Sequence, residues 1–339
     1  MTETLESIAQ AMIAPGKGIL AADESSGTIK KRFDAINLAS TEENRRDYRE
    51  MLFRTEEAMR HCVSGVILYD ETIRQKAKDG TPLVDLIRQA GSIPGIKVDA
   101  GAKPMAGFPG EQITEGLDGL RERLAEYYAL GARFAKWRAV IDIAEGIPST
   151  GCIEANVEAL ARYAALCQEA GIVPIVEPEV LMDGGHTIER CAEVTETTLR
   201  ALFAHLAAHR VRLEGTILKP NMVIAGKKCP VQASVGEVAE RTIAVFKRTV
   251  PAAIPGIVYL SGGQSDEDAT AHLNAMNQIG GFPWAMSFSY GRALQAAPLK
   301  AWGGKPENVA AGQAAFLHRA KMNSFAALGK WQSQMEKAA

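Results

Sequence analysis

A lysine beside paired carboxylates is a set that can do carbonyl chemistry: a neutral amine adds to a ketone or aldehyde, and a carboxyl group moves the protons that turn the adduct into an iminium. The sequence offers such a set. Lys219 follows Thr216-Ile217-Leu218 and precedes Pro220, so it stands where an apolar run meets its loop and its ammonium is partly desolvated. Desolvation and neighbouring cations such as Lys136 both favour the neutral, nucleophilic amine. Glu177 and Glu179 are two residues apart, as are Lys136 and Arg138, and Lys97 and Asp99, while Asp23 closes a run of its own. In an extended chain residues two apart share a face, so each pair points one way. Taken singly, each is a solvated charge at a strand end; if the pairs point inward, three lysines and several carboxylates converge on one cavity.

Two further segments read as anion sites. Ser261-Gly-Gly-Gln-Ser265 opens a helix through Asp266, Glu267 and Asp268, and Ser289-Tyr-Gly-Arg292, with Gly291 and Arg292, follows another apolar run. Glycine lets backbone N–H groups face phosphate oxygens and arginine adds charge. The plainer alternative is a Gly turn with a helix cap. Metal chemistry has weaker support. His61, His205, His209, His272 and His318 fall in helical segments, His186 does not, and His205 with His209 lacks the adjacent Glu of an H-E-x-x-H site. The expectation is surface or capping histidines, with no metal and no cofactor.

The elements that position these residues recur along the chain. Eight short apolar, β-branched runs end in polar residues: 18–23, 65–70, 95–99, 133–138, 172–177, 215–219, 256–261 and 284–289. Between them lie amphipathic segments, one expected to start at a Ser40-x-x-Glu43 capping box and one, over Ile153, Val157, Leu160, Ala161 and Ala164, to stop at Gly171. Strands alternating with helices imply parallel pairing, and eight such units predict an α/β fold, a (β/α)8 TIM barrel, as one domain over 1–339 with a short C-terminal tail from about 331. An open doubly wound sheet is the runner-up, weakened because the first run leads into Asp23-Glu-Ser-Ser-Gly27 and not into a G-x-G-x-x-G turn. In a barrel the loops after strands seven and eight are the usual phosphate cradle, which strengthens the reading of Ser261, Gly262, Gly291 and Arg292.

Composition narrows the classes. In 339 residues, 38 Lys+Arg against 40 Asp+Glu leave a formal charge of −2, which excludes a nucleic-acid binder held by bulk charge. Five widely spaced cysteines without a C-x-x-C pair read as reduced thiols, no apolar run approaches a membrane span, and the acidic N-terminus is unlike a secretory signal. A cytoplasmic protein is expected.

The motifs Gly16-Lys-Gly-Ile-Leu-Ala-Ala-Asp-Glu-Ser25, Phe134-Ala-Lys-Trp-Arg138, Val176-Glu-Pro-Glu179, Leu218-Lys-Pro-Asn-Met222, Leu260-Ser-Gly-Gly-Gln-Ser265 and Ser289-Tyr-Gly-Arg-Ala-Leu294 closely resemble those of class I fructose-1,6-bisphosphate aldolase. The likeness runs in order from about residue 5 to about 330. It implies a reversible cleavage of fructose 1,6-bisphosphate into dihydroxyacetone phosphate and glyceraldehyde 3-phosphate, without metal, in a homotetramer. By resemblance Lys219 is the Schiff-base lysine, Glu177 the acid/base on the carbinolamine hydroxyl and Glu179 its neighbour. Asp23, Lys136 and Arg138 match residues around the cleaved bond. Ser261, Gly262 and Arg292 match the ketose-side phosphate site, and Lys97 with Ser25 the other. Thr28 stands where vertebrate relatives have Ser. Those relatives also extend into a tail finishing in Tyr, whereas the sequence here runs to Glu336-Lys-Ala-Ala339. Two other functions are compatible with parts of the pattern: a transaldolase-like transferase on the same Schiff-base barrel, against which the two phosphate sites speak, and a phosphosugar-binding scaffold without chemistry, against which the complete lysine and carboxylate set speaks.

Overall fold

In the computed structural model, which describes residues 3–337, the eight expected runs are eight strands. They are β1 (Gly18–Ala22), β2 (Val63–Leu68), β3 (Ile93–Lys97), β4 (Phe134–Ile141), β5 (Val173–Val180), β6 (Ile217–Leu218), β7 (Gly256–Tyr259) and β8 (Ala285–Tyr290). All pair in parallel, each with its neighbours in sequence, and β8 closes back on β1. This is the (β/α)8 barrel, with helices on the connections.

Alternation along each strand divides its residues between an outer face under the helices and an inner face within the barrel. The inner face is layered. Toward the amino ends lie Ile19, Ile67, Phe134, Val173, Ile175, Ile217 and Val258, all fully buried, and helix α1 (Leu5–Met12) seals that end with Leu5, Ile8, Ala9 and Met12. Phe134 fills the centre because its neighbours have no side chain: a Cβ on Gly95 would stand 2.3 Å from its ring. Continuing by twos toward the carboxyl ends, the inward positions after Phe134 are Lys136 and Arg138, and those after Ile175 are Glu177 and Glu179. An apolar plug thus underlies a charged floor.

The helices used below are α2 (Ser26–Asp34), α3 (Glu42–Phe53), α4 (Thr150–Glu169), α5 (Ile188–Ala208), α6 (Asp266–Ile279), α7 (Arg292–Trp302) and α8 (Val309–Ala327). α4 ends at Ala170 before Gly171, whose φ of 73° is the left-handed turn expected there. The expected capping box of α3 is not formed. Thr41, one residue later than Ser40, is the cap, its Oγ1 accepting from Asn44 N at 3.1 Å. The Ser40 carbonyl is held by Arg45 at 2.6 Å, and Glu43 faces outward. Sequence reasoning also missed a hairpin of Ala102–Pro104 with Gln112–Thr114 on the β3–β4 connection, whose strands are too short to show alternation. It braces β4, since Thr114 Oγ1 donates to the Arg138 carbonyl at 2.8 Å.

The five cysteines are free and buried, and no described helix is long and apolar enough to cross a membrane. Residues 333–337 form a turn that lies on α8 through Glu336, which pairs with Arg319 and His318 and accepts from Trp331 Nε1 at 3.0 Å. Ala338 and Ala339 of the expected tail, and Met1 and Thr2 of the acidic N-terminus, lie outside the described residues.

Candidate active site

The carboxyl ends of the strands open into a cavity of about 670 Å³. Asp23, Ser25, Thr28, Lys97, Lys136, Arg138, Glu177, Glu179, Lys219, Ser261, Gly262, Gly291 and Arg292 line it; Asp99, read from the sequence with Lys97, is buried and does not. Sheet register explains much of this. Arg138 lies beside Glu177 on the neighbouring strand, and Lys219, the residue after β6, continues the ladder by donating its N–H to the Val176 carbonyl at 2.9 Å.

At the floor the charges are shared unequally. Glu177 lies between two ammonium groups, with Oε1 3.2 Å from Lys219 Nζ and Oε2 3.6 Å from Lys136 Nζ. Lys136 also faces Asp23 at 2.8 Å and Asp99 at 3.8 Å. Both lysines and Glu177 are buried. Burial opposes the charge of Lys136, but Asp23, Glu177 and Asp99 outweigh it and raise its pKa well above the ordinary lysine value. It is therefore a permanent cation. Lys219 has one carboxylate within ion-pair reach among the described residues, and that carboxylate is itself shared. The structure thus distinguishes two buried lysines that composition cannot. It distinguishes the glutamates too, because Glu179 is clamped by the Arg138 guanidinium while Glu177 faces Lys219.

Asp23 is the mirror case of Lys136. Burial pushes its carboxyl up, yet Lys136, Lys219 and Lys97 hold it down at about 2. A carboxyl depressed on folding contributes stability that is fully present above its unfolded pKa of about 4 and is lost as pH falls through the folded value. The size is roughly 2 to 3 kcal/mol at neutral pH, falling to about half by pH 3. Urea unfolding of wild type and Asp23→Asn between pH 6 and pH 3 checks this. The stability gap should narrow on the acid side, and a gap that widens there contradicts the charge arrangement.

The segments expected to hold anions lie around the rim. Gly262 and Gly263 have φ of 58° and 101°, a region that favours glycine, and a Cβ on Gly263 would stand 2.4 Å from Lys227 Nζ and 3.0 Å from Arg292 Nη2. Two cations therefore converge on one glycine turn. Arg292 is also the first residue of α7, so the backbone there adds the positive end of a helix to the same rim. Ser265, and not the preceding loop, caps α6 by accepting from Asp268 N at 3.0 Å. After β1, which neighbours β8, the Ser25 and Thr28 hydroxyls lie 3.2 Å apart at the start of α2. Lys97 is turned toward Asp99 at 2.6 Å.

Several lining residues were missed by sequence reasoning: Glu24, Lys31, Arg32, Asp183, Lys227 and Ser289. Lys31 and Arg32 carried a readable signal, since spacing from Ser25 and Thr28 continues one face of α2. Arg32 pairs with buried Glu24. Ser289, the last residue of the expected eighth run, lies inside β8, with its buried Oγ facing no hydrogen-bond partner among the described residues. Lys227 had no signal. It lies in the irregular segment after β6, where its ammonium reaches Asp183 at 2.8 Å.

Comparison with known proteins gives a single direction. A family model described as fructose-bisphosphate aldolase class-I matches residues 4–339. The probable fructose-bisphosphate aldolase class 1 of Xanthomonas campestris is 63% identical over 97% of this chain and 99% of its own. The cytosolic fructose-bisphosphate aldolase 6 of Arabidopsis thaliana is 56% identical over 94% of this chain and 88% of its own. A Plasmodium falciparum fructose-bisphosphate aldolase, solved in complex with TRAP and a small-molecule inhibitor, superimposes with a TM-score of 0.95 at 50% identity, covering 97% of this chain and 95% of that one.

Proposed function

From the premise that the chain belongs to the class I fructose-bisphosphate aldolase family, and so is a lyase that reversibly cleaves fructose 1,6-bisphosphate, we propose that Lys219 forms the Schiff base and Glu177 moves its protons. The observation that carries this reading is the 3.2 Å contact of Lys219 Nζ with Glu177 Oε1 on the cavity floor. One proton passed across that contact gives a neutral amine and a carboxylic acid. The amine adds to the C-2 ketone. The carbinolamine hydroxyl then takes the proton from Glu177 and leaves as water, so an ammonium–carboxylate pair becomes an iminium–carboxylate pair with no net change of charge. The iminium accepts the electron pair released when the C-3–C-4 bond breaks, as the C-4 hydroxyl gives up its proton and becomes the aldehyde. Asp23, as carboxylate, takes that proton, and the adjacent Lys136 ammonium favours negative charge on the oxygen as it leaves. Glu179 holds Arg138 in place beside them.

Because the iminium is the electron sink, a Lewis acid is not required to polarise the ketone. Cleavage measured in a coupled assay should survive prolonged dialysis against EDTA. Loss of activity that zinc restores is the result that overturns this mechanism.

The two phosphates are assigned to opposite sides of the mouth. Ser261, Gly262, Gly291 and Arg292, with Lys227 added, hold the ketose-side phosphate; Lys97 on β3, with Ser25 and Thr28 after the intervening β1, lies toward the other. β7 and β8 are adjacent, whereas β3 is three strands from β8, a separation suited to an extended six-carbon chain. On a Lys219→Met background, Arg292→Ala should weaken dihydroxyacetone phosphate by roughly 1.5 to 3 kcal/mol, the scale of a charge-assisted bond. Lys227→Ala, whose ammonium also has Asp183, should weaken it less. Lys97→Ala should weaken the bisphosphate and nearly spare the triose phosphate. Calorimetric titration of both ligands decides, and the opposite pattern reverses the substrate across the barrel.

A cytoplasmic homotetramer is the expected working form; the plant relative named as cytosolic supports the location. Fractionation of cells tests the location, and a light-scattering mass of four chains tests the assembly.

A further inference from the structure

On the outer wall of the barrel, away from the cavity, α4 and α5 lie side by side and bring four ligand-type side chains together. His205, in the last turn of α5, and His209, just beyond its end, are one turn apart. Glu154 and Glu158 are one turn apart on α4. Glu158 Oε2 lies 3.2 Å from His205 Nδ1 and 2.7 Å from His209 Nε2, so one carboxylate oxygen faces a nitrogen of each ring. The other nitrogen of His205, Nε2, meets Glu154 Oε2 at 2.7 Å. Ligand atoms of Glu158, His205 and His209 all lie within 4.8 Å of one another.

Bonds of 2.0–2.1 Å in a tetrahedron separate ligand atoms by about 3.3 Å, so a zinc-sized ion needs only a slight parting of these contacts. Two histidines one helical turn apart supply two ligands of a familiar zinc-binding pattern, and the third ligand here comes from the neighbouring helix; the Glu adjacent to the first His in that pattern is a general base and not a ligand, so a site that only binds metal does not need it. Glu154 then does what a carboxylate behind a metal-bound histidine does: it accepts the distal N–H and fixes the ring and its tautomer. We propose that Glu158, His205 and His209 bind a divalent transition-metal ion of the zinc class, with water as fourth ligand and Glu154 as the positioning residue. None of the four lines the catalytic cavity, so the site is independent of carbonyl cleavage.

Titration of the EDTA-stripped full chain with zinc at pH 7.5, followed by calorimetry, should show one site per chain. His209→Gln and Glu158→Gln should each weaken it by at least about a hundredfold, and Glu154→Gln by about ten- to a hundredfold, as loss of a supporting carboxylate does. Cobalt should give the intense visible band of a four-coordinate ion in wild type and not in His209→Gln. Unfolding midpoints measured in EDTA check that each of these surface variants keeps its fold. No zinc bound at tens of micromolar, or titrations and cobalt spectra that the three substitutions leave unchanged, would overturn the assignment.

Discussion

Lys219→Met should lower kcat for fructose 1,6-bisphosphate cleavage by about 10⁴ or more, the scale on which removal of a covalent nucleophile acts. Methionine keeps the length of the stem and removes the amine. The fold should tolerate the change, because Glu177 keeps Lys136 as a counter-charge at 3.6 Å and is not left as an unpaired buried ion. Borohydride gives the sharper readout. With dihydroxyacetone phosphate, wild type should be reduced to a stable secondary amine that mass spectrometry places on Lys219, and the variant should give no adduct. An adduct on Lys136 or Lys97, or a variant within tenfold of wild-type activity, would remove Lys219 from the chemistry.

That assignment depends on how the floor apportions charge. A buried ammonium with three carboxylates around it, as Lys136 has, is held protonated, and it is useful as an electrostatic fixture but not as a nucleophile. Lys219 shares a single carboxylate with that fixture. In the proposed mechanism Lys219 passes its proton to Glu177, and the positive charge of Lys136 remains to balance Asp23 and Asp99 around it. The two lysines thus differ in surroundings: Lys136 is ringed by three carboxylates, and Lys219 meets one.

The strands and most of the site were legible because both depend on period-two alternation, which reaches from the residue list to the barrel interior without further information. Lys136, Arg138, Glu177 and Glu179 are inward for the same reason that Phe134 and Ile175 are. What could not be read are contacts between segments remote in sequence. The rim position of Lys227 follows from an irregular loop that has no period to extrapolate. The division of labour between Glu177 and Glu179 follows from which cation each meets across a strand pair, a matter of register. The cap of α3 is Thr41 and not its neighbour Ser40, a choice between two adjacent hydroxyls that the motif does not encode. His205 and His209 meet carboxylates on the neighbouring helix, which no motif along their own segment shows. Resemblance supplied the roles of matching residues, but it had nothing to say about these local competitions.

Register also sets the second large effect. Glu177→Gln preserves size and keeps a carbonyl oxygen toward Lys219, but it can neither accept the ammonium proton nor return one to the carbinolamine hydroxyl. Loss of a positioned acid/base costs about 10² to 10⁴ in rate, and kcat should fall by that amount. The fall should appear in a particular place: borohydride trapping with dihydroxyacetone phosphate should still label Lys219, yet the label should accumulate more slowly than in wild type because dehydration to the iminium has lost its acid. Glu179→Gln should behave differently. Its carboxylate is engaged by Arg138, so the loss should loosen that guanidinium, raise KM for the bisphosphate and leave the trapping rate with the triose phosphate nearly unchanged. If Glu179→Gln slows trapping and Glu177→Gln does not, the proton passes through the outer carboxylate, and the 3.2 Å contact of Glu177 with Lys219 is only an ion pair.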